Sequence, residues 1–260
     1  MNTAVVTGAS SGVGREVALD LVRRGWQVVL PARTVERVAE VIMFADRVGA
    51  PRPRVVICDL ADHAQVREMC TEVAQGYELD VLISCAAIGG GLDTSIRETN
   101  PAGVELRMAV NAATPHLIAR CLAPRLSPAG RIVQVGSMGQ APIDLADMNF
   151  AAGYNGIQAY CRSKLALVMS TMEMAAVGVP VNVVHPANEM PTRMVAESGF
   201  PIGSSLDDGV LPVLRAALDS KIADVRGAYF DRFEVADPHP QALDPRAREA
   251  VVAWLDEVSA

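Results

Sequence analysis

The stretch TAVVTGASSGVG, residues 3–14, decides the fold. The apolar run Thr3–Thr7 predicts a buried strand, and Gly8, Gly12 and Gly14 follow it at once, before a helical pattern begins. Small residues at such a junction let the backbone turn tightly and approach a phosphate, whose charge then lies at the helix N-terminus. A glycine turn can also be a simple strand–helix connection. Its position at the first strand–helix junction of an alternating chain favours a phosphate-binding loop.

The rest of the chain repeats this alternation of apolar runs and helical patterns. Further strands are predicted at Gln27–Leu30, Arg54–Ile57, Asp80–Ser84, Arg131–Val135 and Val181–Val184. Helices are predicted at about Gly12–Arg24, Thr34–Arg47, Asp62–Gln75, Pro101–Leu126 and Ile157–Ala176. The alternation predicts an α/β fold, a Rossmann-type doubly wound parallel sheet with helices on both faces. Since no repeat or Pro-, Gly- or Ser-rich linker interrupts it, residues 1–260 are expected to form a single domain.

Composition excludes several classes of function. Half of the 260 residues are apolar and the net charge is −7, which disfavours a general binder of nucleic acid or anionic membranes. No apolar run approaches the roughly 20 residues of a membrane span, and the first residues do not resemble a signal peptide. Five cysteines without a CxxC pair predict reduced thiols and a cytoplasmic location, and the four histidines lack metal-ligand spacing, so no metal is expected.

Tyr160 and Lys164 form a candidate acid–base pair. Their spacing of four places them on one face of a predicted helix. A free tyrosine has a pKa of about 10, and a neighbouring ammonium favours its ionised form. The phenol could then exchange a proton with an alcohol or carbonyl oxygen while hydride moves to or from a nicotinamide. Ser137, just beyond a predicted strand, can hydrogen-bond the same oxygen at the edge of the sheet where ligands bind.

The second strand bears on the choice of cofactor. NAD-binding folds usually carry an acidic residue about 20 residues past the glycines, where it binds the ribose 2′-hydroxyl. Here Ala32 stands at that place and Arg33 follows it. A small residue beside a guanidinium suits a 2′-phosphate, which predicts NADP(H). The alternative is that Arg33 is an ordinary surface arginine.

These motifs, taken in order, resemble the short-chain dehydrogenase/reductase family over nearly the whole chain. The matching positions are Thr7–Gly14 with GxxxGxG spacing, Asp59, Asn111, Ser137, Tyr160 and Lys164. The resemblance implies a catalytic set of Ser137, Tyr160, Lys164 and Asn111. It implies a cofactor-binding set of Gly8, Ser10, Ser11, Gly12, Val13, Gly14, Arg33, Asp59, Leu60, Ala86, Tyr160, Lys164, Pro186 and Thr192.

Finer features resemble the retinol-dehydrogenase-like branch of that family. Ser137 and Tyr160 are 23 positions apart, and Asp147–Phe150, the AYCRSKLA stretch and Gly227–Phe230 follow the branch pattern. The resemblance implies hydride transfer to or from a bulky apolar alcohol or carbonyl compound, and it is compatible with a homodimer or homotetramer. The expected substrate loops are residues 138–156 and 190–209, where methionines could form an adaptable lining or simply fill the core.

The chain departs from the family pattern after the fourth strand and in the proline–glycine segment. Ser84-Cys85-Ala86-Ala87 replaces Asn-Asn-Ala-Gly, which predicts altered local hydrogen bonding and a packed rather than nucleophilic Cys85. Ala187 replaces the glycine after Pro186.

A proline in the long predicted helix has a consequence of its own. Pro115 has no N–H and therefore leaves the carbonyl of Asn111 without its helical partner. In the family, a main-chain carbonyl at this position holds a water that connects Lys164 to solvent. The alternative is that Pro115 only kinks a buried helix.

Two rival functions remain open. The same tyrosine could serve C=C reduction, epimerisation or a redox-neutral rearrangement. A non-catalytic NADP(H) sensor would be free to lose Ser137, Tyr160 and Lys164, and their presence argues against it.

Overall fold

A computed structural model describes all residues, 1–260, and contains one eight-stranded sheet. The strands are β1 (Thr3–Thr7), β2 (Gln27–Ala32), β3 (Arg54–Ile57), β4 (Leu79–Ser84), β5 (Leu126–Val135), β6 (Val181–His185), β7 (Tyr229–Asp231) and β8 (Glu234–Ala236). Their order is β3-β2-β1-β4-β5-β6-β7-β8, and only β8 runs antiparallel to its neighbour. Every residue of β1 is buried, as expected for a strand covered on both faces.

Helices cover both faces of this sheet, which confirms the predicted α/β architecture. The helices are α1 (Gly12–Arg23), α2 (Ala39–Val48), α3 (His63–Gly76), α4 (Leu106–Met108), α5 (Thr114–Leu122), α6 (Gly156–Ala176), α7 (Arg193–Ser198), α8 (Leu206–Leu218) and α9 (Pro245–Val258). One apolar core lies under α1, α2 and α8, and two further cores lie under α3, α5, α6 and α9. No helix is both long and apolar enough to cross a bilayer.

Several predicted boundaries are wrong. The sequence predicted six strands, and the three-residue strands β7 and β8 were too short to show a pattern. Strand β5 begins at Leu126 rather than Arg131. The helix expected from Thr34 is a 3₁₀ turn at Val35–Val38 followed by α2.

The long helix predicted from Pro101 to Leu126 is the largest error. The Asn100 side chain accepts bonds from the N–H groups of Ala102 (3.0 Å) and Val104 (2.9 Å) and holds a turn there. The helix therefore starts only at α4, where the Glu105 carboxylate accepts the Met108 N–H (2.8 Å).

A π-helical turn at Ala109–Ala113 then separates α4 from α5. In it the Thr114 N–H bonds the Ala109 carbonyl, five residues back. Because Pro115 has no N–H, the ordinary bond to the Asn111 carbonyl cannot form, and the wider turn is a natural result. Residues before and after the turn consequently pack into different cores.

Candidate active site

The candidate site lies where the sheet order reverses, at the carboxyl ends of β1 and β4. The chain leaves β1 towards β2 on one side, whereas β4 lies on its other side. Such a switch point opens a crevice in which ligands of α/β folds bind. The loops that follow β1 and β4 meet there, since the Ala86 N–H donates to the Thr7 hydroxyl (3.2 Å).

In the loop that follows β1, close contacts with neighbouring atoms leave no room for a side chain at two of the glycines. Gly8 has φ +73°, and a β-carbon on it would lie 2.7 Å from the Ala86 nitrogen. A β-carbon on Gly14 would lie 2.5 Å from the Gly8 carbonyl oxygen. Gly12, with φ +56°, faces the Thr192 side chain. The loop therefore keeps its tight path only with glycine at positions 8 and 14.

The residues around this loop fit a dinucleotide phosphate. Ser11 is the N-cap of α1 but makes no side-chain cap bond, and no acidic residue lies in the first turn. The first N–H groups of α1 are thus available to an anion, and Ser10 and Ser11 are exposed beside them. Ala32 is buried at the end of β2, while Arg33 is exposed and makes no ion pair or hydrogen bond. A free guanidinium with no carboxylate at position 32 suits a 2′-phosphate.

The other predicted cofactor residues lie at the same edge. Asp59 and Leu60 follow β3, and both are partly exposed. Pro186 is buried just beyond β6, and the Thr192 hydroxyl accepts the Val195 N–H (3.4 Å) at the start of α7.

Asn155 sets the start of the helix that carries Tyr160 and Lys164. Its side chain accepts the N–H groups of Ile157 (3.0 Å) and Gln158 (3.1 Å), so α6 begins at Gly156. Tyr160 and Lys164 then lie one turn apart. The Lys164 ammonium is buried; its nitrogen is 5.8 Å from the centre of the Tyr160 ring.

Ser137 completes this group. Gly139 lies between Ser137 and Tyr160, since a β-carbon on it would be 3.3 Å from the Ser137 hydroxyl and 3.8 Å from the Tyr160 ring. The structure therefore brings the three residues predicted for catalysis together.

Burial controls the protonation of this group. It raises the pKa of Tyr160, and the nearby Ser137 hydroxyl partly opposes that rise. Burial lowers the pKa of Lys164 to about 8, and the ammonium donates to the Val135 carbonyl (2.8 Å). Lys164 is not among the groups that shift the pKa of Tyr160, contrary to the expectation that its charge favours the phenolate. Tyr160 is therefore a protonated phenol at neutral pH, ready to give a proton.

The Asn111 side chain links two parts of the site. Its oxygen accepts the Ile88 N–H (2.8 Å), and its amide donates to the Ile88 carbonyl (2.9 Å) and the Ser163 hydroxyl (3.0 Å). Asn111 thus fixes the loop after β4 against α6. The proposed water relay through its main-chain carbonyl stays a prediction.

Arg107, which no sequence motif indicated, lies one turn before Asn111 and also holds the loop after β4. Its side chain is 1% exposed, and its guanidinium donates to the carbonyls of Gly89 (3.0 Å) and Gly90 (3.3 Å). Together, Arg107 and Asn111 hold three consecutive residues of the loop after β4. The available signal was a charged residue four positions before Asn111, in a run (residues 106–113) whose other members are apolar.

The same guanidinium reaches the segment before α6. It donates to the Tyr154 hydroxyl (2.9 Å), pairs with the exposed Glu98 (3.0 Å) and lies 3.4 Å from the fully buried Glu105. Tyr154 in turn donates to Glu105 (3.0 Å). Since Tyr154 is next to the N-cap of α6, this network couples the loop after β4 to the start of the catalytic helix.

The altered local hydrogen bonding expected of Ser84–Ala87, which replaces Asn-Asn-Ala-Gly, stays a prediction. The Ser84 hydroxyl is buried without a partner. Burial raises the pKa of Cys85 to about 12, which fits a packed thiol and not a nucleophile.

The two expected substrate segments both reach this edge of the sheet. Residues 138–155 contain no helix or strand, and Gln241 anchors them through two bonds to Ile143 (2.6 and 2.8 Å). Residues 190–209 contain α7 and the start of α8, and Met194 packs on Gly89.

The four methionines of these segments differ in burial: two belong to the core, and two are at least partly accessible. Met190 is buried and Met148 packs on the core, whereas Met138 is exposed and Met194 is only partly buried. Mobility of either substrate segment stays a prediction.

The site therefore combines a glycine loop after β1, the Tyr160–Lys164 pair on α6 and a serine just beyond β5. Residues 2–199 match the family model described as short chain dehydrogenase, and the chain belongs to that family. Within it, the chain falls in the retinol-dehydrogenase-like branch. It is 31% identical to mouse (Mus musculus) retinol dehydrogenase 13 over 268 residues, which cover 93% of this chain and 79% of that protein.

Solved structures show the same fold. An uncharacterized protein from Mycobacterium paratuberculosis aligns with a TM-score of 0.80 and 26% identity, covering 100% of this chain and 93% of that one. A short chain dehydrogenase from Escherichia coli CFT073, solved in complex with NADPH, aligns with a TM-score of 0.71 and 25% identity, covering 90% and 97% of the two chains.

Proposed function

We propose that this oxidoreductase uses NADP(H) and transfers hydride between the nicotinamide and a carbonyl or alcohol of an apolar small molecule, through Ser137, Tyr160 and Lys164. The observation that carries the proposal is the convergence of these three side chains at the carboxyl edge of the sheet, where the tight glycine loop leaves the N-terminus of α1 without a side-chain cap. The NADPH complex of the Escherichia coli relative and the unpaired Arg33 support the choice of NADP(H).

In the reducing direction, each of the three residues has a separate task. The Tyr160 phenol gives its proton to the carbonyl oxygen of the substrate, and the Ser137 hydroxyl hydrogen-bonds the same oxygen. Lys164, held at the Val135 carbonyl, belongs to the expected cofactor-binding set as well, and it would hold the bound cofactor beside Tyr160. The bound cofactor supplies the hydride.

Exposed apolar side chains around the site support an apolar substrate. Leu92, Ile96, Met138, Ile157, Phe200 and Ile202 are all exposed and all lie in segments beyond strand ends. The segment that carries Leu92 and Ile96 touches the start of α6, because the Gly156 N–H bonds the Thr94 carbonyl (2.8 Å) and Ile157 packs on Gly90. We call these six residues the apolar rim. Mouse retinol dehydrogenase 13 is named for an apolar alcohol, which agrees with such a rim.

Turnover of three probes tests this proposal. NADPH oxidation should be faster, in kcat/KM, with retinal and cyclododecanone than with dihydroxyacetone. Leu92→Ser should raise KM for cyclododecanone, whereas Leu211→Ser, an exposed leucine on α8 outside the rim, should not. Preference for dihydroxyacetone, or equal effects of the two variants, would contradict an apolar substrate.

Two further expectations accompany the function. A cytoplasmic location is the expectation from five cysteines without a CxxC pair, and a homodimer or homotetramer is an expectation that light scattering can check.

A further inference from the structure

A half-open pocket of about 400 Å³ lies beyond the ends of β6 and β7. Met138 and Ala187 connect it to the candidate active site, since Met138 follows Ser137 and Ala187 follows Pro186. Its volume is sufficient for part of a small molecule. The lining residues are Met138, His185, Ala187, Asn188, Ser204, Asp208, Asp231, Arg232 and Phe233. We call this space the β6–β7 pocket.

Backbone hydrogen bonds hold the walls of this pocket in place. Asp231 pairs with His185 in the parallel register of β6 and β7, and the Arg232 N–H donates to the His185 carbonyl (2.8 Å). On the other side, the Glu189 carbonyl accepts the N–H groups of Gly203 (3.0 Å) and Ser204 (3.4 Å). The second bond fixes Ser204 beside the pocket.

His185 supplies an unsatisfied polar atom at this pocket. The residue is 4% exposed, and its Nδ1 has no hydrogen-bond partner. Burial lowers the pKa of His185, so the ring is neutral and one of its nitrogens is an acceptor. This Nδ1 is enclosed by protein atoms, so a ligand in the pocket would bond the other ring nitrogen, Nε2, which has no hydrogen-bond partner either, and a hydrogen bond donated there would satisfy the neutral ring.

The charges of the pocket select the sign of the ligand group. Asp208 and Asp231 are two carboxylates, and Arg232, the single cation among the lining residues, lies 3.6 Å from the Asp231 carboxylate and offsets one of the two negative charges. Asn188 and Ser204 add neutral hydrogen-bonding groups. The excess negative charge disfavours a carboxylate or phosphate and favours an amine or hydroxyl.

We propose that the β6–β7 pocket binds a hydrogen-bond-donating part of the substrate, an amino or hydroxyl substituent, while the reacting carbonyl lies at Ser137 and Tyr160. The proposal rests on the proposed function and makes its substrate class more specific. The substrate is amphipathic. Its apolar body lies against the apolar rim, and its polar end passes Met138 and enters the β6–β7 pocket.

Four aryl alkyl ketones that differ only in a terminal amino, hydroxyl, methyl or carboxylate group provide the test. Wild-type KM should be about tenfold lower for the amino and hydroxyl ketones than for the methyl ketone, and highest for the carboxylate. Asp231→Asn should remove the advantage of the amino ketone, and His185→Phe that of the hydroxyl ketone. Glu234→Gln, an exposed carboxylate opposite Asp231 in the β7–β8 hairpin, is the matched control and should leave the ranking unchanged.

Binding measured without turnover separates this proposal from the proposed function. Calorimetry with the Tyr160→Phe protein and NADPH should give the same ranking of the four ketones. Ranked binding without turnover by the wild type would contradict the proposed function alone. A methyl ketone that binds as well as the amino and hydroxyl ketones would overturn the pocket proposal, as would equal weakening of all four ketones by Asp231→Asn. Unchanged NADPH affinity in each variant shows that the fold is intact.

Discussion

The two walls of the candidate site are built by different forces. The glycine loop, residues 8–14, is held by close backbone contacts to Ala86 and within itself. The opposite wall, residues 88–91 and 154–156, is held by long side chains, chiefly Arg107 and Asn111. The first wall requires residues without a side chain, and the second requires buried polar side chains that form hydrogen bonds. Substitutions should therefore damage the two walls in different ways.

The largest loss of stability is expected on the polar wall, with Arg107→Met. This change leaves the Glu105 carboxylate fully buried without its cation, and breaking a buried pair in this way costs about 3–5 kcal/mol. Urea unfolding measures the effect. Glu98→Gln is the control, because Glu98 is exposed and its pairing with Arg107 should contribute less than about 1 kcal/mol. Similar losses for the two variants would show that the network does not support the wall.

The glycine wall can be tested by alanine substitutions at two glycines with almost the same φ angle. Gly8 has φ +73° and Gly25 has φ +77°, but nothing lies within 4 Å of a β-carbon on Gly25. Both substitutions cost about 1–2 kcal/mol for the left-handed backbone. Gly8→Ala should cost about 1–3 kcal/mol more, because its β-carbon meets Ala86. Equal unfolding free energies for the two variants would remove the steric argument.

The different origins of the two walls explain what the sequence could predict. The glycine loop and the Tyr160–Lys164 pair are local patterns, and both were found at the right elements. Arg107 was missed because its partners at Gly89 and Tyr154 lie 18 and 47 residues away. The π-turn shows a middle case: Pro115 predicted a free carbonyl, but not that the helix would split and pack into two cores.

Cofactor selectivity tests the role of Arg33, which follows β2 at the same edge of the sheet as the glycine wall. Arg33→Ala should weaken NADPH binding by roughly 10- to 100-fold, because charge-assisted bonds contribute about 1.5–3 kcal/mol each. NADH affinity should change little, since NADH lacks the 2′-phosphate. Fluorescence titrations of both cofactors measure this, with the exposed Arg37→Ala as the control. Equal losses for both cofactors would return Arg33 to an ordinary surface arginine.

The smallest effect concerns pH and the buried Lys164. Its pKa is about 8 in the folded chain, below the usual value of 10.5, so the unfolded chain binds more protons between these values. Stability from this group should therefore rise as pH increases from about 8 to about 10.5. The difference in unfolding free energy between wild type and Lys164→Met, measured at pH 7.5 and 9.5, should shift in favour of wild type at the higher pH. An unchanged difference would mean that Lys164 is not buried as a cation.

The central claim is that Tyr160 gives the proton during carbonyl reduction. Single-turnover oxidation of NADPH with cyclododecanone tests it most directly, with wild type, Tyr160→Phe and the remote Tyr77→Phe compared at saturating cofactor. The rate should be about 10²- to 10⁴-fold lower for Tyr160→Phe, with NADPH affinity unchanged and Tyr77→Phe like wild type. A Tyr160→Phe rate within twofold of wild type would contradict it.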